Sequence, residues 1–210
     1  MFGGIVQAES RVISVSRRAR MLCVRIRKPR AWRLSDGQSI AIDGICSTVV
    51  SHGKDFFDVE YMPQTLSSTT ASAFVRGTFL NLERSLVYGD RIDGHLMQGH
   101  VDGKARVVSI IEKGRSREIS LSMPKLSREI LLRGSLAVNG VSLTVARKAK
   151  GVCTVALIPH TLAKTNLGRL GAGDTVNVEL DRTPFLARKS ACGRVSRNAA
   201  KGVRKGKESA

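Results

Sequence analysis

The stretch Ala41–Val49, with the sequence AIDGICSTV, reappears almost unchanged as Ala137–Val145, AVNGVSLTV, an offset of 96 residues. Two more pairs keep this offset and order: MPQTL at 62–66 returns as IPHTL at 158–162, and LNLE at 80–83 returns as VNVE at 176–179. Chance does not produce three matches in one register, so the chain is a tandem duplication of a module of about 95 residues, a normal domain size. Its function must be one that two similar but unequal sites can perform.

Each module shows a β pattern. Short segments with alternating apolar residues recur between Gly-containing turns, which predicts strands over Val12–Val15, Leu22–Ile26, Ser39–Ile42, Cys46–Val50, Phe56–Tyr61 and Phe79–Glu83. The second module repeats them over Arg106–Ile111, Glu118–Met123, Leu136–Val138, Ser142–Ala146, Thr154–Ile158 and Thr175–Leu180. Six short strands close most readily into a small barrel without exposed edges.

The predicted fold is all-β, with two tandem six-stranded antiparallel, Greek-key-like barrels. Short helices are predicted over Pro63–Ser72, Lys125–Leu132 and Pro159–Leu167, the last opened by Pro159 at a first-turn position. The predicted domains are residues 1–92 and 93–187, joined near Val87–Gly94, followed by a basic tail or C-terminal helix at 188–210.

Composition indicates a globular cytoplasmic protein. No apolar run approaches the ~20 residues of a membrane span, and the N-terminus has no signal-peptide pattern. The four cysteines show no CxxC spacing, which favours reduced thiols. The net charge of +18 is densest at the C-terminus, where residues 182–210 hold nine Lys or Arg and one Glu. Without aromatic interleaving or a recognition helix, this charge predicts only non-specific nucleic-acid affinity through the tail.

The repeated strand carries the first candidate functional residues. Residues two apart on a strand share a face, so Cys46 with Thr48, and Ser142 with Thr144, form paired small polar groups after a Gly turn. They are also compatible with ordinary strand residues, since Thr favours strands and Cys often packs as a small hydrophobe. Their recurrence beside a Pro-x-Thr segment favours a binding surface for a flat heterocycle.

A second candidate is the junction Asp93–Gly103, which holds two of the four histidines and three glycines. His95 and His100 suggest a metal site, but a His-x4-His pair without further ligands at suitable spacing is a weak signal. The alternative is a histidine that hydrogen-bonds a ligand from a Gly-rich loop.

Together these motifs resemble the riboflavin synthase alpha chain family over residues 1–181. The resemblance rests on the start MFxGIV, on DGICxTV at 43–49, MPxT at 62–65, NLER at 81–84, GHxxxGHVDG at 94–103, GVSLTV at 140–145 and IPHT at 158–161. It implies two lumazine-binding barrels and the conversion of two 6,7-dimethyl-8-ribityllumazines into riboflavin and a ribitylaminouracil, without cofactor or metal. It also implies a homotrimer assembled by a C-terminal helix, and it allows an association with lumazine synthase.

The resemblance assigns substrate contacts to two sites. The first takes Gly4, Ile5, Val6, Cys46, Ser47, Thr48, Glu60, Tyr61, Met62, Pro63, Gln64 and Thr65. The second takes Gly99, His100, Val101, Ser142, Leu143, Thr144, Ile158, Pro159, His160, Thr161, Leu162 and Ala163, with Arg133 reaching across to a neighbouring subunit where the family often has Lys. The residues expected to handle protons or activate substrate are His100, Cys46, Ser142 and Thr144.

Two other classes stay open: a non-catalytic lumazine- or flavin-binding homologue, and a polyanion-binding protein. Both Gly-turn strands and the histidine loop are intact, which favours the enzyme. The tail departs from the family, since it is poor in Leu and rich in Gly.

We expect deletion of residues 189–210 to lower affinity for heparin or RNA, because charge density is highest there. Lumazine binding within each barrel should not change, as fluorescence titration can show. Loss of both trimer and activity would instead identify the tail as an assembly helix.

Overall fold

Each half of the chain closes into a six-stranded antiparallel barrel in the computed structural model, which describes residues 1–183. The first barrel comprises β1 (Ala8–Arg18), β2 (Met21–Arg27), β3 (Ser39–Ile42), β4 (Ile45–His52), β5 (Phe56–Tyr61) and β6 (Phe79–Arg84). The second comprises β7 (Gly103–Lys113), β8 (Ser116–Ser122), β9 (Ser135–Val138), β10 (Val141–Ala149), β11 (Val152–Leu157) and β12 (Thr175–Leu180). Both have the same cyclic order, 1-2-5-4-3-6 in the first and 7-8-11-10-9-12 in the second. The predicted fold class is confirmed.

Alternating residues fill each barrel and bulges close it. On β2, Leu22, Val24 and Ile26 point inward, and on β5 Phe57 and Val59 do the same. The register shifts in β1, β4, β7 and β10, which marks a bulge at the same point of each module. A bulge bends a strand and raises its twist, so these four irregularities let such short strands curve into closed barrels.

The helices are shorter than the sequence predicts. α1 spans Pro63–Ser68 and α2 spans Pro159–Lys164, each followed by a 3-10 turn, Thr70–Ala73 and Asn166–Arg169. Pro159 stands in the first turn of α2, as predicted. Within residues 1–183, no helix has the length and apolarity that a membrane crossing requires.

The predicted helix Lys125–Leu132 is wrong, because this segment is a series of turns. The amides of Leu126 and Ser127 both donate to the Met123 carbonyl, and the Ser127 hydroxyl donates to the Pro124 carbonyl at 3.1 Å. A serine that bonds nearby backbone in this way competes with a regular helical ladder.

The two barrels contact each other through equivalent turns of the two modules. The turns that hold Gly44 and Gly140 touch: a Cβ on Gly44 would lie 2.8 Å from the Gly140 nitrogen. Phe2 and Met97 form a short antiparallel bridge beside these turns and are both buried. The repeated glycines are therefore required by the close approach of the two modules as well as by their positive φ angles.

A buried polar network crosses this interface. Asp43 Oδ1 accepts from the Asn81 amide at 2.8 Å and from Asn166 Nδ2 at 2.9 Å, while Asn177 Nδ2 donates to the Asp43 carbonyl at 2.9 Å. The repeat places Asn139 where the first module has Asp43, and Asn139 Oδ1 accepts from the Asn177 amide at 2.8 Å. The network is therefore nearly symmetric, but only one half contains an ionisable group.

Burial raises the pKa of Asp43 to about 7; the Glu9 charge adds to this rise, and the hydrogen bonds from Asn81 and Asn166 oppose it. The folded-state pKa lies above the unfolded value of about 3.9. Stability from this group is therefore fully present below the unfolded pKa and is lost as the pH rises through about 7.

We expect Asp43→Asn to stabilise the protein at pH 8 by an amount on the order of a few kcal/mol, with the gain shrinking towards pH 4. Asparagine keeps the Oδ1 acceptor without the buried charge. Urea unfolding at several pH values measures the effect, and Asn139→Asp should act in the opposite direction. Identical pH dependence in Asp43→Asn and the parent protein would contradict this assignment.

Candidate functional site

The repeated strands expose two similar surfaces on the outside of the barrels. The first, called here the N wall, contains Cys46 and Thr48 on β4, with Met62 and Gln64 at the start of α1. The second, the C wall, contains Ser142 and Thr144 on β10, with Ile158 and His160 at the start of α2. The predicted pairing of residues two apart is confirmed, and both pairs face outward because the intervening Ser47 and Leu143 point into the barrels.

Each wall is completed by a segment from the other module. The Cys46 amide donates to the Gly99 carbonyl at 2.8 Å, and the Ser142 amide donates to the Gly4 carbonyl at 2.9 Å. Val101 packs on the first core, whereas Val6 packs on the second.

The predicted assignment of these segments to the two sites is therefore reversed. Gly4, Ile5 and Val6 belong with the C wall, and Gly99, His100 and Val101 belong with the N wall. The reason is the Phe2–Met97 bridge, at which the two leading segments cross before entering their own barrels.

Glycine is required where each leading segment touches its strand. Gly99 has φ +77°, and a Cβ there would lie 2.7 Å from Cys46 Cβ. Gly4 has φ +74°, and its Cβ would lie 2.6 Å from Ser142 Cβ. Any side chain at either position must displace the wall strand.

A buried carboxylate holds each segment in place. Glu83 accepts from the amides of Gly3 and Gly4 at 2.7 and 3.1 Å, and Glu179 accepts from those of Gln98 and Gly99 at 2.7 and 3.0 Å. Burial raises the pKa of Glu83 to about 7 against the lowering effect of these amides, and burial raises the pKa of Glu179 in the same way. The final Glu of the LNLE and VNVE repeat thus positions the other module's wall, a role that sequence reasoning did not assign.

His95 is a site residue that sequence reasoning considered as a metal ligand or a ligand-facing hydrogen-bonding group but placed in neither substrate site. Its Nδ1 lies 2.7 Å from Ser142 Oγ, and within residues 1–183 its Nε2 is buried without a hydrogen-bond partner. Burial lowers the pKa of His95, which favours the neutral imidazole at pH 7. Gly94 allows this approach, since a Cβ there would lie 2.2 Å from the Gly3 carbonyl oxygen. The dense His and Gly content of the junction was the available signal.

His100 occupies a different environment. It is exposed and lines a cavity of about 210 Å³ with Gln98, Asp102, Glu179 and Arg182. Arg182 is ion-paired with Asp102 and Glu129. The two histidines that suggested a metal site therefore lie in different environments. Within residues 1–183, no three potential metal-ligating side chains group together.

Several predicted contact residues have structural roles. The side chains of Ser47, Tyr61 and Leu143 are buried inside the barrels, which leaves only their backbone atoms to face the walls; Ser47 Oγ lies 3.0 Å from Tyr61 Oη. Thr65 and Thr161 accept through their carbonyls at the ends of α1 and α2, and Leu162 packs on the second core.

The remaining predicted residues lie at the wall edges. Pro63 and Pro159 begin the two helices, Ala163 is exposed on α2, and Glu60 is exposed on β5. Arg133 is exposed in a turn with φ +63°, and its amide donates to the Val145 carbonyl at 3.0 Å.

The geometry defines a class, a protein of two tandem six-stranded barrels with exchanged leading segments. The model of the lumazine binding domain family matches residues 3–85 and 98–181. Riboflavin synthase of Bacillus subtilis (strain 168) is 36% identical over 185 residues, covering 86% of this chain and 85% of the relative. Riboflavin synthase of Brucella abortus (strain 2308) is 41% identical over 161 residues, covering 74% and 78%.

Solved structures of LumP show the same fold. The riboflavin complex has a TM-score of 0.81 at 26% identity and covers 86% of this chain and all of LumP. The complexes with 6,7-dimethyl-8-(1'-D-ribityl) lumazine and with flavin mononucleotide have TM-scores of 0.78 and 0.77, each at 25% identity and 86% coverage of this chain, with 99% and 100% of LumP covered. The chain belongs to the riboflavin synthase family of lumazine-binding domain proteins.

We expect Gly99→Ala to weaken ligand binding at the N wall, although Gly99 belongs to the second module. The new Cβ would collide with Cys46 and should also cost about 1–3 kcal/mol of folding stability. Gly37→Ala is the matched control, because Gly37 has φ +81° but no atom within 4 Å of its would-be Cβ. Flavin titration and thermal unfolding measure both effects; equal binding by the two variants would contradict the exchanged arrangement.

Proposed function

We propose that this protein is a riboflavin synthase that converts two molecules of 6,7-dimethyl-8-ribityllumazine into riboflavin and 5-amino-6-(ribitylamino)uracil. The observation that carries the proposal is the presence of two intact but unequal walls. Cys46 on one corresponds to Ser142 on the other, and the His95 imidazole contacts only the second. A transfer of four carbons between identical substrates needs one site for a donor and one for an acceptor.

Much of the proposed rate enhancement comes from orienting the two substrates relative to each other. Holding two reactants in a productive geometry can be worth ~7–11 kcal/mol. The substrate provides an acidic methyl group and an electrophilic ring carbon, so the protein need only position the rings, exclude water and relay protons.

The proton-handling groups proposed are Cys46 and His100 at the N wall, and Ser142, Thr144 and His95 at the C wall. A neutral His95 can accept a proton from the Ser142 hydroxyl, which in turn faces the exposed side of β10. A general base of this kind works best when it is unprotonated at the working pH.

We further propose a homotrimer in the cytoplasm. Both walls are exposed in the single chain, and neither covers the other. A second protomer is then needed to bring a C wall opposite an N wall, and Arg133 would reach across that contact. Sedimentation analysis measures the assembly state directly, and the same measurement with lumazine synthase added tests their association.

The proposed activity has a direct assay. Purified protein should consume two lumazines for each riboflavin formed, followed by absorbance and flavin fluorescence. A protein that binds lumazine tightly without turnover would be the non-catalytic binding homologue instead.

We expect His100→Gln, Cys46→Ser and His95→Gln to reduce turnover more than lumazine affinity. Binding is spread over many contacts, whereas an acid–base group acts mainly in the transition state and is typically worth ~10²–10⁴-fold. His52→Gln is the control, because His52 lies exposed at the end of β4, 3.8 Å from Asp36. Steady-state kinetics and fluorescence titration separate the two effects. Equal mild losses in all four variants would leave orientation as the sole source of catalysis.

A further inference from the structure

The outer face of the first barrel contains a polar groove that continues the N wall. The groove has a volume of about 440 Å³, within the range of small-ligand sites. It is lined from β1, β2, β4 and β5, and its polar lining includes Ser16, Arg18, Cys23, Arg25, Asp58 and Glu60. Val50 lies two residues beyond Thr48 on the same exposed face of β4, so wall and groove form one surface.

The order of groups across this surface suits a ring with a polyol chain. Glu60 accepts from the Cys23 thiol at 3.4 Å, and Cys23 pairs across the sheet with Ser16, which gives a row of groups that can bond hydroxyls. β4 and β1 are separated by three strand spacings, about 14 Å. A flat ring on the N wall would therefore direct a ribityl chain over β5 and β2 towards β1.

The far side of the groove is cationic. Arg18 ends β1 opposite Met21, and the exposed Arg17 and Arg20 flank it at the hairpin tip. Within residues 1–183, none of these three arginines forms an ion pair, whereas the deeper Arg25 is neutralised by a bidentate contact with Asp58 at 2.8 and 2.9 Å. Arginine is well suited to bind phosphate oxygens.

The second barrel has a different surface at this place. Its strand pairing puts Ile111 where the first barrel has Ser16, and Ala156 where it has Glu60. Arg147 bonds Glu118 with two contacts of 3.1 and 2.6 Å on this face. The hairpin tip carries Glu112, paired with Arg117, at the position of Arg17, whereas Lys113 and Arg115 keep a positive charge at the positions of Arg18 and Arg20. The polar row beside a cationic hairpin tip is thus a feature of the first module.

From this arrangement we propose that the N wall and its groove bind phosphate monoesters of ribityl ring compounds, the class of flavin mononucleotide, with Arg18 contacting the phosphate. The inference rests on the proposed function, because it places the ring on the same wall that would hold lumazine. It extends that function from the neutral substrate and product to a charged flavin that would compete for one of the two sites. LumP, which shares the fold, has been solved with flavin mononucleotide.

Parallel titrations of the full-length protein with riboflavin and flavin mononucleotide test the proposal, with binding followed by flavin fluorescence. Arg18→Ala should weaken flavin mononucleotide binding about five- to tenfold, as expected for one partly exposed charge-assisted contact, and riboflavin binding less than about twofold. Lys113→Ala, the equivalent change at the second hairpin, should leave both affinities unchanged. Excess inorganic phosphate should lower the affinity for flavin mononucleotide towards that for riboflavin.

Equal weakening of both flavins by Arg18→Ala would overturn the proposal, as would equal loss of flavin mononucleotide binding in Lys113→Ala. Measuring lumazine turnover with the same preparations distinguishes failure of this inference from failure of the proposed function. A protein that makes riboflavin but binds flavin mononucleotide independently of Arg18 retains the proposed function and loses this inference. A protein that binds neither flavin and makes no riboflavin loses both.

Discussion

The structure depends on a reciprocal exchange of backbone between the two modules. The Gly4 carbonyl accepts from Ser142 of the second barrel, and the Gly99 carbonyl accepts from Cys46 of the first. Glu83 and Glu179 fix these segments through their amides, so a buried carboxylate of each barrel shapes the surface of the other. A buried carboxylate that loses its amide donors is left unpaired at a high cost in free energy. Removing one leading segment therefore also destabilises the barrel that supplies the carboxylate.

This exchange means that the duplicated modules cannot diverge independently. A change near Glu83 alters the backbone at Ser142, and a change near Glu179 alters the backbone at Cys46. The side chains of the two modules nevertheless differ at the Asp43/Asn139 pair between the barrels, at the Cys46/Ser142 pair on the walls and in the polar groove of the first barrel. These differences supply the inequality that a donor and an acceptor site require.

The barrels were predictable because strand alternation and Gly turns are local signals that the repeat doubles. Thr175–Leu180 was predicted to the residue, and the outward direction of Cys46 and Thr48 follows from the same period-two pattern. The segment 125–132 was predicted wrongly as a helix because its composition suits one, while Ser127 and the preceding Pro124 favour turns. Tertiary contacts favoured the turns over the helix in this segment.

The composition of the two walls was not predictable by the same reasoning. Assigning each leading segment to its own barrel is the simplest assumption, and nothing in the local pattern at Gly4 or Gly99 contradicts it. The crossing is set by the Phe2–Met97 bridge, a contact between distant residues. The pairing of His95 with Ser142 is hidden for the same reason, since it depends on where the junction passes over the second barrel.

The reciprocal backbone pairing between the modules is tested most directly by hydrogen–deuterium exchange on a variant of the protein that lacks only residues 2–5. The Ser142 amide, which donates to Gly4, should lose its protection, while the Cys46 amide, which donates to Gly99, should remain protected. Loss of protection at Cys46 with Ser142 unchanged would show instead that each leading segment serves its own barrel, and would contradict the account.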